Sequence, residues 1–101
     1  MEELVFFVYI LKCNDGSYYT GHTDNIEQRL SQHVLGLTRG YTYKRRPVEL
    51  VFVETVGSRQ EALDAEFQIK KWTRKKKEAL IARDWELLQE LARCRNSKHK
   101  D

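Results

Sequence analysis

Proline and glycine are scarce in this sequence: there is one proline, with five glycines, in 101 residues. No Pro/Gly-rich linker, internal repeat or low-complexity tract interrupts the chain, so one folded domain is expected over residues 1–95, followed by a polar, frayed tail at 96–101. Cysteine is equally sparse. Cys13 and Cys94 stand alone without C-x-x-C spacing, which suggests neither a zinc site nor a disulfide scaffold and reads as free thiols in a reducing compartment. The apolar run Leu4 to Leu11 is too short for a membrane span, and the acidic start Met1-Glu2-Glu3 is the wrong flank for a secretory signal. A soluble, cytoplasmic protein is expected. Acidic residues are missing locally as well, from Arg39 to Arg46 and from Lys70 to Lys77.

What is present points to an α+β fold. Leu4 to Leu11 is rich in β-branched and aromatic residues and stops at Asn14-Asp15-Gly16, a hairpin turn signal, so Ser17 to His22 should return antiparallel. Asp24 reads as the N-cap of a helix with Glu27 three residues on, ending at Leu35 before Gly36. Residues 36–47 read as a loop. Val48 to Val56 suits a strand buried on much of both faces, and Ser58-Arg59-Gln60-Glu61 is a capping box that opens a helix running to Trp72. After Thr73 a third helix is predicted from Arg74 to Arg93, striped by Leu80, Ile81, Leu87, Leu88 and Leu91. The order β-β-α-β-α-α predicts a small three-stranded antiparallel sheet flanked by helices.

Several polar residues on these elements could carry chemistry. Tyr9 and Tyr19 should be near neighbours on paired strands, although aromatic residues favour strands in any case. Arg29 and His33 fall one turn apart beside the inward stripe Ile26-Leu30-Val34; the bland account is a solvated flank. Glu66 is the most informative, because it lies within the apolar stripe Ala62-Ala65-Ile69-Trp72, and a buried acid needs a cationic partner or a metal. The whole-chain charge of +3 is a weak attraction for polyanions. Clustering is stronger: Arg39, Lys44, Arg45 and Arg46 interleave with Tyr41 and Tyr43, and Lys70, Lys71, Arg74 and Lys75 open a second basic run. Cations for phosphates and rings for bases are what nucleic-acid binding requires.

Val8-Tyr9-Ile10 and Tyr19-Thr20-Gly21, followed in order by Arg29, His33 and Glu66, resemble the motifs of the GIY-YIG nuclease superfamily, in particular its small stand-alone bacterial members. The first motif lacks its glycine here, and Thr20 replaces an isoleucine in the second. The resemblance implies endonuclease-type hydrolysis of phosphodiester bonds, with DNA ahead of RNA as substrate and repair or processing as the role; a monomer is expected. It also implies one divalent ion, Mg2+ or Mn2+, held chiefly by Glu66. Tyr9 would position or deprotonate water, Tyr19 would orient water or phosphate, Arg29 would clamp the phosphate, and His33 would support the tyrosine. A free phenol titrates at about pH 10, so Tyr9 needs the bias of a cation such as Arg29 to act as a base. Residues Glu78 to Ile81 offer no asparagine where many members of the superfamily carry one. This leaves open a nucleic-acid-binding module with little catalysis. A structural or protein-interaction domain that docks through its C-terminal amphipathic helix is the third alternative.

Overall fold

The computed structural model describes residues 5–99, with side chains as far as residue 92. Leu4, Lys100 and Asp101 and the side chain of Cys94 therefore lie outside the described residues. The chain divides into two compact units at Lys70/Lys71.

The first unit is built on a three-stranded antiparallel sheet of β1 (Phe6–Lys12), β2 (Tyr18–Thr23) and β3 (Glu49–Val56), in the order β2-β1-β3. Strand β1 takes the centre, and Val8, Tyr9, Ile10 and Leu11 are all buried there. This corrects the expectation for the third strand. Strand β3 is an edge: Phe52 is its one buried residue, while Glu54 and Thr55 are exposed, because a strand with a single neighbour leaves one flank open.

The β1–β2 turn is wider than a two-residue hairpin. Cys13 N–H donates to Ser17 O at 2.8 Å, and Asp15 Oδ1 accepts from the Ser17 amide at 3.0 Å, with Gly16 at φ 87°. Helix α1 (Ile26–Leu35) begins one residue later than expected: Asn25, not Asp24, is its N-cap and accepts from Gln28 N at 3.1 Å. Gly36 closes it at φ 75°, a left-handed conformation that suits glycine. The loop at 36–47 holds one turn of 3-10 helix, Tyr43–Arg45. Helix α2 (Arg59–Lys70) starts as the capping box predicted, with Glu61 N–H donating to Ser58 Oγ at 3.1 Å, but the Glu61 carboxylate accepts from Gly57 N at 2.9 Å.

The second unit corrects the single long helix expected after Thr73. Two helices are present: α3 (Arg74–Ile81), capped by Thr73, and α4 (Trp85–His99). The break is local. Arg83 adopts φ 57°, and Asp84 Oδ1 accepts from Leu87 N at 3.2 Å, capping a new helix where the apolar stripe alone would continue the old one. Helix α4 ends at His99. Among the described residues no helix is long and apolar enough to cross a membrane.

Candidate active site

Strand register places the two motif tyrosines. Tyr9 pairs with Gly21 and Leu11 with Tyr19, so Tyr9 and Tyr19 are diagonal neighbours on one face of the sheet. Their ring centroids lie 6.4 Å apart. Gly21 makes this possible, because a Cβ there would stand 2.5 Å from the Tyr9 hydroxyl and 2.7 Å from its ring carbon. Tyr9 lies over the bare backbone and is buried, while Tyr19 stays half-buried.

His33 is the residue whose place differs most from the sequence reading. It is 3 % exposed, whereas Val34, assigned to the inward stripe, is 48 % exposed. Polar pairing explains the rotation of α1. Tyr9 Oη and His33 Nε2 are 3.0 Å apart, and His33 Nδ1 is 2.8 Å from Thr42 Oγ1. Both ring nitrogens are satisfied, so the imidazole can be buried like an apolar group. Tyr19 completes the cluster, with its ring 5.2 Å from His33 and stacked on Tyr41 at 6.0 Å.

Electrostatics sets the proton states. Burial pushes the Tyr9 phenol well above its ordinary range and Tyr19 adds to the rise; Arg29 opposes both by charge and hydrogen bonding, while Glu66 adds to them. Burial wins, so Arg29 does not by itself make a phenolate. Burial and the Arg29 charge together hold His33 below the usual histidine value. His33 is therefore a neutral imidazole at pH 7, able to accept a proton.

Glu66 lies on α2 with its side chain 16 % exposed. His22 Nδ1 contacts its Oε1, and Lys70 Nζ is 2.6 Å from its Oε2. Burial raises the Glu66 pKa, but the bonds from Lys70 and His22 outweigh it and hold the group below the usual carboxylate value. The acid is ionised and fixed. It also belongs electrically to the tyrosine cluster, since Glu66 acts on Tyr9 and Tyr19 acts on Lys70. Sequence reasoning missed His22 and Thr42. An imidazole directly after the Tyr19-Thr20-Gly21 motif was a signal for His22; a loop threonine gave none.

A metal site must be judged on this donor set. Among the described residues no three His, Cys, Asp or Glu side chains gather into a metal-holding group. One fixed carboxylate with a nitrogen beside it does fit a hard ion such as Mg2+ or Mn2+ that keeps several waters and takes further oxygens from a phosphate. A protein-only cage does not fit.

The basic loop is tied to the hairpin turn. Asn14 N–H donates to Arg45 O at 2.9 Å, and Arg45 Nε donates to Asp15 Oδ2 at 3.1 Å. Its tyrosines carry arginines on their rings: Arg45 lies 3.9 Å from the Tyr41 centroid, and Arg39 and Arg46 lie 4.7 and 4.8 Å from that of Tyr43. The rings expected to stack on bases thus hold guanidiniums in place. Lys44 and Arg39 are exposed. In the second basic run Lys70 pairs with Glu66 and Arg74 Nε is 3.1 Å from Glu78, and Lys70, Lys71, Arg74 and Lys75 are all exposed.

The family model of the GIY-YIG catalytic domain matches residues 5–79. The chain belongs to the GIY-YIG family. It is 46 % identical over 81 residues to the UPF0213 protein YazA of Bacillus subtilis, covering 80 % of this chain and 82 % of that one. To a UPF0213 protein of Staphylococcus epidermidis it is 49 % identical over 75 residues, covering 74 % and 92 %. Two solution structures share the GIY-YIG fold. The protein EF2693 from E. faecalis superposes with TM-score 0.58 at 41 % identity, covering 86 % of this chain and 93 % of that one. The UPF0213 protein BH0048 from Bacillus halodurans gives TM-score 0.52 at 40 % identity, covering 77 % and 83 %. The GIY-YIG family is a nuclease family that acts on nucleic acid, and these relatives are small bacterial proteins.

Proposed function

We propose that this chain hydrolyses phosphodiester bonds of nucleic acid, DNA ahead of RNA, as a divalent-metal-dependent endonuclease. The observation that carries the reading is the Tyr9–His33 pair, 3.0 Å apart and buried. A phenol whose ionisation is opposed by burial cannot serve as a base alone. It can relay. With its N–H on Nδ1 directed at Thr42, neutral His33 leaves Nε2 to accept the Tyr9 proton.

In the step we infer, a water oxygen forms a bond to phosphorus as the ester P–O bond breaks. The water proton passes to the Tyr9 oxygen while the phenol proton passes to His33 Nε2, and the leaving oxygen takes a proton from solvent. Arg29 donates to the phosphate, where its planar fork matches the developing charge. Glu66 would hold a divalent ion, which when bound would supply charge neutralisation at the phosphate. Tyr19 lines the approach and orients water or phosphate. The basic loop, with Arg39 and Lys44 exposed, holds the polyanion backbone.

The test is direct. Purified protein is expected to nick plasmid DNA with Mg2+ or Mn2+, and Glu66→Ala is expected to lose that activity. Undiminished nicking by Glu66→Ala would show that the carboxylate has no part in it. A chain that binds DNA in a salt-dependent way yet never cleaves would instead be a binding module.

A further inference from the structure

We propose that Lys70 is a placeholder for the divalent cation: its ammonium sits on the Glu66 oxygen a metal would take and must leave that oxygen before a metal can be held there. The inference rests on the assignment of Glu66 as the metal-holding carboxylate.

Both oxygens of Glu66 are already engaged, Oε1 by His22 Nδ1 and Oε2 by Lys70 Nζ at 2.6 Å. The two sides are not equivalent. Glu66 is 16 % exposed and His22 23 %, whereas Lys70 is 51 % exposed, so the ammonium is on the solvent side, where an ion would enter. At that distance the ammonium occupies the solvent-side approach to Oε2, the direction from which a hard ion binding at about 2.0–2.1 Å would come. Two cations cannot share the position, and their charges repel across a few ångströms.

Displacement is easy by construction. Lysine is a compact charge on a flexible four-carbon stem, and an ion pair with one half-exposed partner is weakly held. The released ammonium stays at the site, tethered one turn from Glu66 and within electrical reach of Tyr19. There it can meet the substrate phosphate. Before that, Lys70 neutralises a carboxylate that would otherwise be costly to bury.

Binding of Mn2+ alone, followed through the electron paramagnetic resonance signal of the free ion, tests this on the whole chain. Lys70→Met is expected to bind Mn2+ roughly three- to tenfold tighter than wild type, because a competing charge is gone. Lys70→Arg keeps the charge and is expected to stay near wild type. Glu66→Gln is expected to lose binding. Wild-type or weaker affinity in Lys70→Met, or no Mn2+ binding in either protein, would overturn the placeholder role. If Lys70→Met fails to tighten while Glu66→Gln still loses binding, only that role falls. Undiminished binding by Glu66→Gln would remove the metal assignment beneath it.

Discussion

Tyr9 Oη and His33 Nε2 meet 3.0 Å apart across 24 positions of sequence, and the far nitrogen of the same ring is fixed by Thr42. This places a neutral imidazole where it can take a proton from the motif tyrosine. It also makes His33 a structural residue. His33→Ala is expected to destabilise the fold by about 2–4 kcal/mol, since it leaves a cavity and two buried hydroxyls without their partner. Urea unfolding at neutral pH measures this.

The same burial sets a pH dependence. His33 has a folded pKa below its unfolded value, so between the two the unfolded chain binds the extra proton and stability falls as pH falls. The loss from this group should begin near the unfolded histidine value of about 6.5, with a slope of at most ~1.4 kcal/mol per pH unit. Urea midpoints taken through that window should drop less steeply in His33→Gln than in wild type. Parallel curves would show that His33 is not the group responsible.

Gly21→Ala should separate packing from chemistry. Its Cβ would stand 2.5 Å from the Tyr9 hydroxyl, forcing the phenol away from His33. A stability loss of about 1–3 kcal/mol is expected from overpacking. Cleavage should fall roughly a hundredfold, because misplacing a catalytic group by about 1 Å costs that much. A variant with normal turnover would mean that the tyrosine does not need this seat.

Thr20 stands where the second motif elsewhere has isoleucine, and its buried Oγ1 has no hydrogen-bond partner among the described residues. Thr20→Val removes that orphan at nearly constant shape. It should stabilise the protein by about 1 kcal/mol, read as a higher urea midpoint with an unchanged slope. A lower midpoint would point to an unseen partner.

On the basic loop the cations differ in role. Arg45 is spent on Asp15 and the Tyr41 carbonyl and Arg46 donates to the Tyr43 carbonyl, while Lys44 is exposed and Arg39, also exposed, rests only its guanidinium on the Tyr43 ring. Arg39→Ala and Lys44→Ala should each weaken DNA binding and reduce the slope of log affinity against log salt by about one. Titrations at several salt concentrations decide this. An unchanged slope in both would place the nucleic acid elsewhere.

How far the sequence carried the reading depends on the range of each interaction. The β1–β2 hairpin, both ends of α1 to within a residue, and the capping box of α2 were legible, because each is written within a few consecutive residues. The break between α3 and α4 was not. The stripe of Leu80, Ile81, Leu87 and Leu88 runs straight across Arg83 and Asp84, and no glycine marks the left-handed residue. The site divides the same way. An acid in an apolar stripe announced Glu66, but its partner His22 lies 44 positions away. His33 read as a solvated flank because what buries it, Thr42, comes from a loop without periodic pattern.

The central claim is that the Tyr9 hydroxyl moves the proton in phosphodiester cleavage. Its most direct test is the single-turnover cleavage rate of Tyr9→Phe on a labelled DNA duplex with Mn2+, beside its urea midpoint. Loss of one hydroxyl should cost only about 1 kcal/mol of stability. The rate should fall by at least roughly a hundredfold, within the range general acid–base groups contribute. A Tyr9→Phe variant that folds and cleaves at the wild-type rate would contradict the account.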